Sequence, residues 1–299
     1  MVRKLKARNC DVLTAGRGEL DLRRQADVEA WVADRKPEVV VVAAARVGGI
    51  LANETYPKDF LFDNLAIELN VIDSAFRSGA SKLLFLGSSC IYPRMAEQPI
   101  EESSLLTGPL EPTNQWYAVA KIAGIKLAQA YRAQHGVDYI SAMPTNLYGP
   151  GDNFDLNSSH VMPAMIRKMH EAKDAGRTEV TIWGTGTPRR EFLHVDDCAD
   201  ALMFLLENYS GHEHVNVGSG TDIAIQELAE MVAQVVGFSG EIRNDLTKPD
   251  GTPRKLMSNR LLAEMGWSPS IPLRQGVEET YDWFKDAETV RMTGPSSAA

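Results

Sequence analysis

The feature that most restricts the fold is the run Glu38-Val-Val-Val-Val-Ala-Ala-Ala, residues 38–45. It is β-branched from Val39 to Val42, so both faces of the strand it predicts are apolar. Such strands are covered on both sides, as when helices cross over a parallel sheet. The rest of the first half keeps this rhythm. Residues 57–77 read as a long amphipathic helix, 82–87 as a second buried strand, 116–135 as another long helix and 139–144 as a further strand. Upstream, residues 27–34 have helical spacing, with Val28, Trp31 and Val32 on one face. Residues 10–15 read as a short strand ending at Gly16, and residues 1–8 as the end of a helix. Strands and helices alternating in this way predict a doubly wound parallel sheet with right-handed crossovers, and ligands gather at the carboxyl ends of its strands.

After Tyr148-Gly-Pro the rhythm breaks, with turns expected at Gly184, Gly186, Gly218 and Gly220. This predicts an α/β chain of two parts. Residues 1–150 form a Rossmann domain, and residues 151–299 a smaller mixed α/β substrate lobe, interleaved with the first. The last residues, 294–299, read as a frayed tail. A Rossmann domain opens with a strand, a glycine-rich loop and a helix. No glycine precedes Gly16 here, so the first strand and the cofactor loop are expected to be missing, as in a chain truncated at its N-terminus.

Charge and cysteine content narrow the function classes. A net charge of −9 argues against non-specific nucleic-acid binding. The longest apolar stretch, residues 39–45, is strand-sized, which argues against a membrane span. Three cysteines, Cys10, Cys90 and Cys198, are widely spaced without a metal-binding pattern, and suit a reducing cytoplasm. No metal is expected.

The chemistry concentrates in two segments. Gly87-Ser88-Ser89-Cys90 directly follows a buried strand, and Tyr117-Ala-Val-Ala-Lys121 opens a helix. Tyr and Lys at i and i+4 share a helix face, and a lysine ammonium there favours the phenolate. A Ser at a strand end can hold a carbonyl oxygen together with such a Tyr. The pattern recurs at Tyr281 and Lys285, without an upstream strand-end Ser, and that copy reads as packing plus a solvated Lys. At the end of the second predicted strand stands Arg17, where an NAD-binding chain carries an acidic residue; Arg17 can take a 2′-phosphate, which favours NADP.

These residues place the chain among sequences resembling the extended short-chain dehydrogenase/reductase superfamily. Within it, the chain resembles the GDP-L-fucose synthases over almost its whole length. The segments 43–50, 86–93, 110–114, 143–150, 190–196 and 248–255 carry the resemblance. Membership implies epimerisation of GDP-4-keto-6-deoxy-D-mannose at C3 and C5, then reduction of the C4 ketone by NADPH. It implies catalytic roles for Ser88, Cys90, Tyr117, Lys121 and His160. A thiol and an imidazole, with ordinary pKa values of about 8.5 and about 6.5, suit the proton transfers at C3 and C5.

The resemblance further implies a cofactor contact surface of Leu86, Gly87, Ser88, Ser89, Lys121, Pro144, Thr145, Asn146, Leu147 and His160, with Arg17 beside it. It assigns Lys168, Trp183, Arg190 and Asp250 to the GDP-sugar, and a homodimer built on the two long helices. His194 reads as a core residue, and His135, His170, His212 and His214 as surface or turn residues. Two alternatives stand beside this. One is another nucleotide-sugar enzyme of the superfamily, although its dehydratases carry Thr-Asp-Glu where this chain has Ser-Ser-Cys. The other is a GDP-sugar-binding protein that lacks the cofactor loop and does not catalyse.

Overall fold

The structure, a computed structural model, describes residues 1–156, 158–248 and 250–286; the predicted tail at 294–299 lies outside them. Along the chain come α1 (Val2–Ala7), α2 (Gln25–Arg35), β1 (Val39–Val42), α3 (Ile50–Thr55), α4 (Pro57–Arg77), β2 (Lys82–Leu86), α5 (Gln115–His135), β3 (Asp138–Pro144) and β4 (Asn146–Tyr148). The second half adds α6 (Val161–Asp174), β5 (Glu179–Trp183), β6 (Arg189–His194), α7 (Val195–Asn208), β7 (Val215–Val217), β8 (Asp222–Ala224), α8 (Ile225–Val236), β9 (Glu241–Asp245), β10 (Arg254–Lys255), α9 (Arg260–Glu264) and α10 (Leu273–Asp286).

The main sheet is parallel, in the order β1-β2-β3-β7. Its register runs Val39 opposite Lys82, Leu86 opposite Ala142, and Ala142 opposite Val215. Strand β2 shows why the run of apolar residues is continuous. Leu83 and Phe85 face one core with Ile72, Ile125 and Tyr139, while Leu84 faces the other with Ile140, Leu202 and Val215. Both faces are therefore helix-covered, as two-sided hydrophobicity requires. Strand β7 comes from residues 215–217 yet joins this sheet, so the chain returns to the first part after building much of the second.

The expected strand at residues 10–15 is not formed: the segment is irregular and largely exposed. A strand exists only with a hydrogen-bonded neighbour, and β1 pairs with β2 alone among the described residues. The segment before it, α1, instead lies against α7. Arg3 pairs with Asp196 at 2.6 Å, Lys4 with Asp200 at 3.1 Å, and Arg8 pairs with Glu207. Exposed pairs of this kind each contribute at most about 1 kcal/mol.

The second part holds a small sheet in the order β10-β6-β4, with β8 antiparallel to β6, and a pair β5-β9. Helices α6, α8 and α10 close over it through Ile166, Met169, Leu228, Val232, Val277 and Phe284. Strands β4 and β6 run parallel, with Tyr148 opposite His194.

Candidate active site

The carboxyl end of β2 passes into a short 3-10 turn, Ser89–Ile91, capped by Ser88. The Cys90 amide points at Ser88 Oγ, 3.5 Å away. Ser89 and Cys90 are buried beneath the turn. Gly87 is required here: a Cβ would lie 2.3 Å from Met143 Sδ on neighbouring β3. The strand ends are thus pressed together, and Gly87 N donates to Ala142 O at 2.9 Å.

Helix α5 brings Tyr117 and Lys121 to this turn. Lys121 is 2% exposed, and its Nζ donates to Leu86 O at 3.0 Å. The ammonium sits 4.7 Å from the Phe85 ring centre and 5.8 Å from that of Tyr117. Burial pushes the Tyr117 phenol up, Cys90 and Glu68 push the same way, and a hydrogen bond with Ser88 pulls it down. Lys121 is not among these influences, and its ammonium lies 3.1 Å from Glu68 Oε1.

Two residues at this site were not among the catalytic or binding candidates. Glu68 on α4 is 1% exposed and faces Lys121. It stands eight positions after Phe60 and four after Asn64, inside the buried stripe of α4, where a carboxylate without a function is out of place. Lys255, on β10, is the other. Burial raises the Cys90 thiol pKa, and Lys255 is the largest influence lowering it, followed by Ser88 and Lys121. Reciprocally, burial lowers the Lys255 pKa and Cys90 raises it.

The second catalytic candidate stands on a different element. His160 is the exposed N-cap residue of α6, and no hydrogen bond joins it to Cys90 among the described residues. The loop after β1 adjoins its segment: a Cβ on Gly49 would lie 3.9 Å from Ser159 O. The other histidines differ from expectation in two cases. His170 and His214 are buried rather than on the surface, His170 beside the Tyr281 hydroxyl at 3.1 Å and His214 beside that of Tyr92 at 2.9 Å. His194 is a core residue, its Nδ1 accepting from Asp196 N at 3.3 Å.

The residues expected at the cofactor divide by location. Leu86 ends β2 and Gly87, Ser88 and Ser89 follow it, while Pro144, Thr145, Asn146 and Leu147 run from the end of the adjacent β3 into β4. Thr145 N donates to Val217 O at 3.0 Å and Asn146 Nδ2 to Glu191 O at 2.8 Å, so this strand crossing is tied to both β7 and β6. Arg17 stands apart from these strand ends in sequence, in an exposed turn. As a donor set, the Lys121 ammonium and the Ser88 and Tyr117 hydroxyls fit a ribose and a carbonyl oxygen.

The substrate candidates gather in the second part. Lys168 lines a cleft of about 680 Å³ between α6 and β5, with Leu156, Glu171, Arg177 and Thr178. Burial lowers its pKa. Trp183, at the end of β5, is 55% exposed and is not a core residue; Lys248 Nζ lies 5.4 Å from its ring centre. Arg190 is half-buried, its pKa lowered by burial and held up by Asp250 and Glu111. Asp250 accepts from Thr185 N at 2.6 Å, tying the Gly184 turn to its own loop. Gly184 has φ +71°, and a Cβ there would strike Asp250 Oδ1 at 2.2 Å, so both features require glycine.

Known proteins match this arrangement. The sequence profile of the NAD-dependent epimerase/dehydratase family matches residues 1–218. GDP-L-fucose synthase 1 of Arabidopsis thaliana is 61% identical over 285 residues, covering 95% of this chain and 88% of that protein. GDP-L-fucose synthase of Sinorhizobium fredii is 60% identical over 284 residues, covering 95% and 90%. The solved structure of a GDP-L-fucose synthetase from Naegleria fowleri bound to NADP superposes with a TM-score of 0.90 at 27% identity, covering 98% of this chain and 90% of that one. By profile, identity and superposition together, the chain belongs to the NAD-dependent epimerase/dehydratase family and, within it, to the GDP-L-fucose synthases.

Proposed function

We propose that this chain converts GDP-4-keto-6-deoxy-D-mannose to GDP-L-fucose by inversion at C3 and C5 followed by reduction of the C4 ketone. The observation that carries the reading is the convergence of Ser88, Cys90, Tyr117 and Lys121 at the carboxyl end of β2. The C4 ketone acidifies the protons on C3 and C5. One group removes a proton from one face of the sugar and another returns one to the opposite face, so each inversion is proton-neutral. Cys90 and His160 share these roles, and Lys255 supports negative charge on the Cys90 sulfur.

For the reduction, Ser88 and Tyr117 hold the C4 oxygen, and Tyr117 gives it a proton. Bound NADPH supplies the hydride that C4 accepts. Lys121, Leu86–Ser89 and the strand crossing at residues 144–147 would hold its nicotinamide half, and Arg17 its 2′-phosphate. Lys168 and Arg190 would pair with the GDP diphosphate, Trp183 would pack on a flat face of the ligand, and Asp250 would bond a guanine or sugar hydrogen.

The test is turnover of the GDP-4-keto sugar with NADPH in D₂O. Expected is one NADPH oxidised per sugar and deuterium at C3 and C5 of the product. A folded protein that binds the sugar yet shows neither exchange nor oxidation would overturn the reading. NADPH binding, followed by fluorescence, separates it from a protein that only holds the sugar.

The same reading includes a homodimer. Phe62 and Leu69 on α4, and Trp116 and Val119 on α5, are exposed large hydrophobics on the two long helices. Pairing of these helices across a two-fold axis would cover them. Sedimentation giving a monomer at micromolar concentration would exclude it. We place the enzyme in the cytoplasm, in keeping with its three free cysteines.

A further inference from the structure

Glu68 takes no part in the chemistry just described. Its carboxylate is buried, with Oε1 3.1 Å from Lys121 Nζ and neither oxygen in a well-formed hydrogen bond. A carboxylate is not left in that state without a compensating charge. The fold makes room for it: on α5, one turn beyond Lys121, Gly124 carries no side chain, and a Cβ there would lie 2.8 Å from Glu68 Oε2 and 2.3 Å from the Phe85 ring. Helices α4 and α5 close together at this point around a charge pair.

The geometry points to Glu68 as the positioning residue that holds the Lys121 ammonium against the Leu86 carbonyl and withholds its charge from Tyr117. The inference rests on the assignment of Lys121 and Tyr117 to the reduction. Among the described residues Lys121 is the charged group acting on Glu68, and Glu68 in turn acts on Tyr117; Lys121 and Tyr117 both stand on α5. Strand β1, packed against α4, contributes only valines, and the α2 residue Glu29 pairs with Arg77 at the far end of α4. Burial raises the Glu68 pKa to about 7, with Lys121 opposing the rise. Below that pH a neutral Glu68 frees the Lys121 charge to favour proton release from Tyr117. Above it the carboxylate neutralises that charge. The reduction should therefore slow as pH rises through neutrality.

Infrared difference spectra of the ligand-free protein, wild type against Glu68→Gln, read the carboxyl directly. A protonated-carboxyl band lost with a midpoint near neutrality is expected; a midpoint in the ordinary carboxylate range overturns the proposal. ¹⁵N NMR of the lysine ammonium reads the coupling. In Glu68→Gln the Lys121 ammonium resonance should shift and broaden as its buried partner is lost. An unmoved Lys121 overturns the proposal. If Glu68→Gln does not fold, Lys121→Met reads the same coupling from the other side, and the Glu68 midpoint should then rise further. With substrate, the neutral inflection of the reduction rate should vanish in Glu68→Gln while wild type keeps it. Absence of any turnover in wild type would instead defeat the functional reading, leaving the ligand-free measurements to decide Glu68.

Discussion

Lys121 reaches past Tyr117 to Glu68: its Nζ stands 5.8 Å from the Tyr117 ring centre and 3.1 Å from Glu68 Oε1. The two α5 residues share a helix face, as their i, i+4 spacing requires, and the ammonium of one lies closer to Glu68 than to the ring of the other. Burial first, then Cys90 and Glu68, push the Tyr117 phenol pKa up, which suits a group that must deliver a proton rather than take one.

Tyr117→Phe should lower the reduction by at least about 10²-fold while exchange at C3 and C5 persists. Cys90→Ser should do the reverse, slowing exchange more than hydride transfer. Deuterium incorporation and NADPH oxidation, measured on the same samples, separate the steps. If both folded variants lose both steps equally, the division of labour between Tyr117 and Cys90 is wrong.

Arg190→Met tests the diphosphate assignment. Its half-buried guanidinium is held beside Asp250 and Glu111, poised for an anion. KM for the GDP-sugar should rise roughly 10- to 100-fold with kcat changed much less, since a charge-assisted contact to a non-reacting group contributes to binding uniformly. An unchanged KM places the diphosphate elsewhere.

Gly124→Ala sets helix propensity against packing. Alanine gains about 1 kcal/mol in a helix interior. Here its Cβ would press on the buried Phe85 ring at 2.3 Å and on Glu68 Oε2 at 2.8 Å. Overpacking of about 1–3 kcal/mol should win, and urea denaturation should show a net loss of stability. A gain would mean that α4 and α5 separate easily, weakening the case for a fixed Glu68–Lys121 pair.

His214 makes stability depend on pH. It is 1% exposed, and burial lowers its pKa to about 4 from an ordinary value of 6.5. The unfolded chain then binds the proton that the folded chain refuses, so stability present above 6.5 is lost as pH falls towards 4. The loss from this residue is on the order of 3 kcal/mol. His214→Gln should flatten that part of a thermal-melt profile; an unaltered profile would show that His214 is charged in the fold.

The doubly wound sheet was legible because apolar side chains on both faces of residues 39–42 and 82–86 admit few other environments. The grouping of Ser88, Tyr117 and Lys121 was legible because a strand end and one helical turn fix them by local rules of spacing. The strand at residues 10–15 was misjudged, since strand formation needs a partner that sequence pattern alone does not reveal. The exposure of Trp183 was not legible for a similar reason: period-two alternation along β5 fixes which side chains share a face, not which face is covered.

What tertiary structure alone decided is which charges meet. Glu68 lies in no recognised segment, Lys255 closes segment 248–255 without an assigned role, and their partners Lys121 and Cys90 are distant in sequence. Local rules govern neighbours within a helical turn or along a strand. The pairing of an α4 carboxylate with an α5 ammonium depends on how closely two helices approach, and that distance is set by one missing Cβ at Gly124. The sequence by itself determined the fold class and the local catalytic spacing, while helix packing determined the electrostatics of the site.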